Sequence, residues 1–247
     1  MNNILYIDTE DGSQTIGGEQ AIEKQFGNPV VRVDSWSELD KLIFTEIYHK
    51  AKVVKTQKIG GGLQRKSEQI IYQLNKGVKL DGIIIDTFSS SIGELQKSIS
   101  NGGRMTQQFY GNLKLGVDRM LKNMSKLPGV LVVTIHASDK QLEDGTTVIK
   151  PQIDGSSKDE IAKWFDFVIY ADTISKGKEM EWVWITKKSS KYYHAKDRTD
   201  LLPPVMKQDF QPVLEAARKK QFKAFKVLII GAPGSGKTRC LQTLTTK

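Results

Sequence analysis

The chain has 247 residues, with 37 Lys and Arg against 28 Asp and Glu (formal charge +9), 38% hydrophobic residues and a single cysteine, Cys240. This is enough apolar material for a packed core, and one cysteine excludes an intrachain disulfide; apolar runs no longer than strands such as Val130 to Val133 leave nothing to span a bilayer. The basic surplus favours polyanionic partners, nucleic acid among them, although it is spread along the chain and densest at Lys219 to Lys223 and at Lys187-Lys188. The first residues lack the charged and apolar regions of a signal peptide, so a cytoplasmic location is expected, with no membrane partner.

In chain order, Asn3 to Asp8 reads as a buried strand ending in acid, and Val30 to Val33 as a second strand. Ser35 to Glu38 offers a helix start, followed by an apolar stripe of Leu39, Leu42, Ile43 and Ile47. Gly60-Gly61-Gly62 breaks the chain, and Ser67 to Lys76 is expected to be helical, with Ile70, Ile71 and Leu74 on one face. Gly82 to Asp86 is an apolar strand, Thr106 to Met124 a long helix and Val130 to Ile135 a further strand. Residues 141–157 read as a polar excursion or hairpin with a turn at Asp144-Gly145. Strands are expected at Phe167 to Ala171, Glu181 to Thr186 and Tyr192 to Lys196, then a helix at Gln211 to Lys220, a strand at Val227 to Ile230 and a closing helix. The alternation predicts one α/β domain over residues 1–247, a mainly parallel sheet covered by helices with antiparallel strands at one edge.

Gly231-Ala232-Pro233-Gly234-Ser235-Gly236-Lys237-Thr238 fits the phosphate-binding pattern G-x-x-x-x-G-K-[ST] in full, after an apolar strand and before a helix. Glycines let the backbone curl so that its N–H groups face phosphate oxygens. The Lys237 ammonium reaches the β- and γ-phosphates and the Thr238 hydroxyl ligates Mg²⁺; Arg239 joins the nucleotide-contacting set. The cofactors expected are therefore ATP, or another purine triphosphate, and Mg²⁺. Such a site needs a carboxylate at a neighbouring strand end to order the metal, and Asp86 after Ile83-Ile84-Ile85 supplies one. Water attack needs an orienting base; of Asp8 and Glu10, Glu10 stands further out at the mouth. Cys240, two residues past the loop, is expected to be a small buried residue.

Four separated pieces resemble the RecA-like ATPases, and most closely their minimal phage branch of ATPases that assist single-strand annealing and recombination. They are the loop 231–238, Leu5-Tyr6-Ile7-Asp8-Thr9-Glu10, the strand Ile83 to Asp86 with Thr87, and Ala195-Lys196-Asp197-Arg198. The resemblance implies a RecA-like P-loop fold, Mg²⁺-dependent ATP hydrolysis, Glu10 as the catalytic glutamate and His136 at the position that senses the γ-phosphate. It implies that Lys196 and Arg198 act in trans on a neighbour's transition state, hence a ring or filament. It also implies single-stranded DNA as partner, a single-strand-binding protein as a possible second one, and DNA-binding loops at about Glu94 to Met105 and Ser138 to Ser157. One departure is large: the family carries its phosphate loop ahead of the glutamate strand, whereas here it closes the chain. A circular permutation, natural or engineered, would account for this, with residues 206–247 as the displaced segment and 1–205 as the rest. Three other readings stay open: a helicase-like ring ATPase, a nucleotide-gated binding module without turnover, and a small-molecule kinase.

Overall fold

A computed structural model describes residues 3–59, 63–100, 103, 106–177 and 179–244. Twelve strands and seven α-helices are described, in the order β1 (Ile4–Asp8), α1 (Gly18–Phe26), β2 (Val31–Arg32), α2 (Trp36–Lys41), β3 (Tyr48–Ile59), β4 (Leu63–Leu74), β5 (Gly82–Asp86), α3 (Phe88–Ser100) and α4 (Gln107–Met124). They continue with β6 (Val130–Gln141), β7 (Thr147–Pro151), α5 (Ser157–Glu160), β8 (Phe167–Lys176), β9 (Glu179–Ile185), β10 (Lys196–Asp197), β11 (Val205–Lys207), α6 (Gln211–Lys219), β12 (Phe225–Gly231) and α7 (Lys237–Cys240).

Ten strands form one mixed sheet in the order β11-β9-β8-β12-β6-β5-β1-β2, with β10 beside β8 and β7 beside β6. From β2 through β8 all neighbours run parallel; β9, β10, β11 and β7 pair antiparallel. The strand that feeds the phosphate loop therefore lies inside the sheet, between β6 and β8, although it is the last of the described strands in chain order.

Both faces of the central strands are covered, as their near-continuous apolar runs require. Successive side chains point to opposite faces. Leu5, Ile7, Ile83, Ile85, Leu131, Val133, Leu228 and Ile230 pack with α2, α3 and α4. Ile4, Tyr6, Ile84, Val132, Val227 and Ile229 pack with α1, α6 and α7. Full burial of each such side chain contributes roughly 1.5–3 kcal/mol. Helix starts follow the hydroxyl caps: Ser35 Oγ accepts from Glu38 N at 3.2 Å and Thr106 Oγ1 from Phe109 N at 3.2 Å.

Three expectations are corrected and one helix is added. Ser67 to Lys76 is not helical: residues up to Leu74 form β4, paired with β3 over its whole length. Spacing such as Ile70, Ile71 and Leu74 serves either structure, and the antiparallel partner decides it. Glu94 to Ser100 is the second half of α3, with Leu95 buried, rather than a mobile loop. Tyr192 to Ala195 is a turn rather than a strand, held by the Tyr192 hydroxyl on the Asp172 carboxylate and by Ala195 N to Tyr192 O. The helix Gly18–Phe26, with Ile22 and Phe26 fully buried, was not anticipated. The Gly60-Gly61-Gly62 break, residues 101, 102, 104 and 105 of the first expected DNA-binding loop, and the last three residues of the closing helix lie outside the described residues. Among the described residues, no helix is long and apolar enough to cross a membrane.

Candidate nucleotide site

The loop leaves β12 at Gly231 and enters α7 at Lys237. Gly234 and Gly236 have φ of 78° and 87°, the left-handed conformation that glycine adopts without strain. A Cβ at Gly236 would also fall 2.3 Å from Gln208 Oε1. Gln208 braces the loop from outside: its Nε2 donates to Ser235 O at 2.7 Å and Val183 O at 3.2 Å. The Lys237 ammonium is buried and donates to Gly231 O at 2.8 Å and Ala232 O at 2.9 Å, so it sits inside the curl of the loop. Burial lowers its pKa, while the carboxylates of Asp86 and Glu10 work in the other direction.

The acids arrive from β5 and β1, which pair in register at Asp8 and Asp86. Asp86 is fully buried; it accepts from the Tyr6 hydroxyl at 2.6 Å and from the Thr134 hydroxyl, which hold its carboxylate in one orientation. A Cβ placed on Gly12 would lie 2.9 Å from Asp86 Oδ2 and 3.7 Å from the Thr238 methyl, so both residues flank the same glycine. Asp8 builds the turn that carries Glu10: Oδ1 accepts from Glu10 N at 3.1 Å and Gly12 N at 3.0 Å, and Oδ2 from Ser13 N at 2.9 Å. Thr9 ties this turn to the next strand through Thr9 N to Asp86 O at 2.9 Å and Thr9 Oγ1 to Thr87 O at 2.5 Å.

Glu10 meets His136 across the mouth, Oε2 to Nε2 at 2.8 Å. His136 is in register with Gly231 at the entrance to the loop, and its backbone N–H donates to Ser89 Oγ at 2.8 Å. Burial pushes the Glu10 carboxyl up, but the bond and charge of His136, with the Lys237 ammonium, hold it below its ordinary value. The two residues border a cavity of about 250 Å³ with Ser89, Gln96, Gln152 and Asp154. Beside the loop lies a larger, open concavity of about 580 Å³ lined by Lys176, Met180, Trp182, Gln208, Arg239 and Thr243. The Trp182 ring, 44% exposed, lies under the Arg239 guanidinium at 5.2 Å, and its Nε1 donates to Gly234 O at 3.4 Å. Gln208 and Trp182 were not singled out from the sequence, because nothing local to either shows that it reaches the loop.

Lys196 and Arg198 are not brought to this site. They lie beside the start of β8: Lys196 is level, through Val168, with Leu228, three residues before Gly231, and Arg198 N bonds Asp166 O further from the loop. Lys196 Nζ donates to Phe165 O at 2.6 Å and Ala162 O at 3.4 Å, and Arg198 pairs with Asp166 Oδ1 at 2.7 Å. Both are thus engaged within the chain. Cys240 is buried, its thiol pushed up by burial and donating to Lys237 O at 2.7 Å, a packing position.

A family model described as an AAA domain matches residues 1–199. The chain belongs to this AAA domain family. It is therefore an AAA-type P-loop α/β ATPase, a nucleotide-binding protein of a family that usually uses Mg²⁺ as well. The matched span holds Glu10, Asp86 and His136 and ends before the phosphate loop, which the fold then sets against them. No curated protein and no solved structure matches the chain. The residues fit Mg²⁺ in the manner of P-loop sites, which use one hydroxyl, phosphate oxygens and water rather than a cage of protein ligands. Thr238 and Asp86 flank one glycine, and no group of three or more His, Cys, Asp or Glu able to hold a metal occurs among the described residues.

Proposed function

We propose that the chain hydrolyses ATP with Mg²⁺ and couples this to binding single-stranded DNA, in recombination or annealing of the phage type. The observation that supports hydrolysis is the convergence, at one edge of the sheet, of Lys237 and Thr238 from one end of the chain with Glu10, Asp86 and His136 from the other. ATP would supply the phosphoryl group and Mg²⁺ the charge neutralisation, with Thr238 as ligand and Asp86 ordering the metal's water. Backbone N–H groups of Gly234 and of residues 236–238, with the Lys237 ammonium, stabilise charge on the phosphates. Glu10 accepts a proton from the attacking water and holds it in line; His136 positions Glu10 and couples it to the loop entrance. The concavity at Trp182 and Arg239 is the natural seat for a purine base, stacked on the indole.

The circularly permuted order belongs to the same reading. Joining Lys247 to Met1 would place β12 and its loop directly before β1. In support, the last described turn is stitched to the first segment: Gln242 Nε2 donates to Ile16 O at 3.2 Å and Gln25 Nε2 to Gln242 O at 2.7 Å. A chain re-opened between Val205 and Met206 and closed by a short linker should fold and hydrolyse ATP at a similar rate.

A second reading, a nucleotide-gated switch without turnover, is favoured by the engagement of Glu10 with His136 and of Lys237 with the loop carbonyls. Steady-state hydrolysis with and without single-stranded DNA separates the two. Turnover that rises with DNA supports the first, whereas bound ATP that survives prolonged incubation supports the second. Assembly into a ring or filament, and recruitment of a single-strand-binding protein, are further parts of the proposal, read out by sedimentation with and without ATP.

A further inference from the structure

We propose that the β3–β4 hairpin is a nucleic-acid-binding arm that grips the phosphate backbone of a single strand. This rests on the reading of the chain as an ATPase coupled to nucleic acid and names the element that makes the contact.

Among the described residues the two strands pair only with each other, over twelve antiparallel pairs from Tyr48↔Leu74 to Ile59↔Leu63, which at strand rise is a ribbon roughly 40 Å long. Its root is anchored. Tyr48 and Tyr72 are buried, Phe44 packs on Tyr72 at 5.4 Å, and Asn75 clamps the base through Nδ2 to Thr45 O and Glu46 O, both at 2.7 Å, and Oδ1 to His49 Nδ1 at 2.9 Å. Away from the root, Lys50, Lys52, Val54 and residues 66–70 are exposed. A two-stranded ribbon with no layer against it gains little from burial, so its length is not explained by packing.

Its charge is one-sided. Between His49 and Gln73 the sequence has six basic residues, Lys50, Lys52, Lys55, Lys58, Arg65 and Lys66, against a single acid, Glu68. The surplus of five is more than half of the whole chain's +9. Cross-strand pairing sets Lys50 opposite Tyr72, Lys52 opposite Ile70 and Lys66 opposite Thr56, so Lys50, Lys52 and Lys66 occupy one face of the ribbon. Glu68 shares that face and lies 3.8 Å from Lys52. Ile70 and Val54, 49% and 56% exposed, stand among these lysines and offer apolar contact to bases or sugars. Like charge opposes pairing of two such arms, whereas a phosphate backbone complements the lysines, and a two-stranded ribbon has dimensions suited to a nucleic-acid groove or strand. Lysine ammoniums are point charges that suit phosphates rather than the edges of particular bases, so binding is independent of sequence and steep in salt.

The test is fluorescence anisotropy with labelled oligothymidine, oligouridine and duplex DNA, using the full chain and a variant combining Lys50→Glu, Lys52→Glu and Lys66→Glu. The expected result is a loss of about tenfold or more in affinity for the single strands, and a salt slope shallower by about 2 for three lost contacts at about 0.7 each. The matching Lys→Arg combination retains affinity, and an unchanged melting midpoint in both variants keeps folding out of the comparison. The three probes identify which strand the arm takes. Affinity equal to the parent's in the charge-reversed variant overturns the arm while leaving a DNA-coupled ATPase standing, as does a change confined to self-association in sedimentation. A parent chain that binds none of the probes overturns both.

Discussion

His136 Nε2 and Glu10 Oε2 lie 2.8 Å apart although 126 residues separate them in the chain. The contact joins the middle of β6 to the turn after β1 across the mouth of the phosphate loop, and it makes the orientation of the proposed base depend on this histidine.

The first prediction concerns this pair and pH. The folded protein holds Glu10 below the ordinary carboxyl value of 4.5, so the folded state favours its ionised form. That stabilisation is fully present above the unfolded value and is lost as pH falls through the lower folded value. Melting curves of the parent and of Glu10→Gln should differ at neutral pH in the parent's favour and converge well below pH 4.5. A constant difference across that range would contradict the pairing.

The loop depends on a brace from outside it. Gln208→Ala removes two bonds to backbone carbonyls and frees Ser235 O. An unmet carbonyl costs on the order of 1 kcal/mol, so nucleotide affinity should fall by roughly three- to tenfold with a small change in melting midpoint. Gly236→Ala meets both a positive φ and a 2.3 Å clash with the Gln208 side chain, and should lose about 1–3 kcal/mol of stability along with nucleotide binding.

Trp182 is placed to report on the nucleotide. Titration with a purine nucleotide should change tryptophan emission in the parent and much less in Trp182→Phe, because Trp184, two residues on along the same face of β9, is fully buried against Phe210. Trp182→Ala should weaken binding about three- to tenfold, the contribution of one stacked ring. Unchanged affinity would move the base elsewhere.

Lys196 separates a packing role from an in-trans role. Its ammonium satisfies Phe165 O and Ala162 O, so Lys196→Met should lower stability on the order of 1–3 kcal/mol while hydrolysis per folded molecule stays near the parent's. A normal melting midpoint with strongly reduced hydrolysis would support the in-trans assignment.

Much of this architecture could be read from the chain because buried strands announce themselves. Ile83-Ile84-Ile85 and Val227 to Ile230 have no polar interruption, and each ends at a residue the site uses. The phosphate loop carries its own conformational requirements in Gly234 and Gly236. What could not be read depends on partners distant in sequence. Residues 67–76 have an apolar spacing compatible with a helix, and only pairing with residues 48–55 makes 67–74 a strand. The turn at Tyr192 to Ala195 looks like a strand because its tyrosines favour one, yet Asp172 and Tyr170 capture Tyr192. Gln208 and Trp182 reach the loop through backbone carbonyls, a contact that no local pattern encodes. The basic ribbon was hidden for the same reason: its lysines are dispersed in sequence and are gathered only when two strands align.

The central claim is that residues from both ends of the chain form one hydrolytic site. The measurement is steady-state phosphate release from Mg²⁺-ATP by the parent, Lys237→Ala and Glu10→Gln, with ATP binding followed in parallel. The account predicts turnover in the parent, a loss of about 100-fold or more in each variant, and retained ATP binding in Glu10→Gln. Hydrolysis in Glu10→Gln at the parent's rate, or a parent that binds ATP and never releases phosphate, would contradict it.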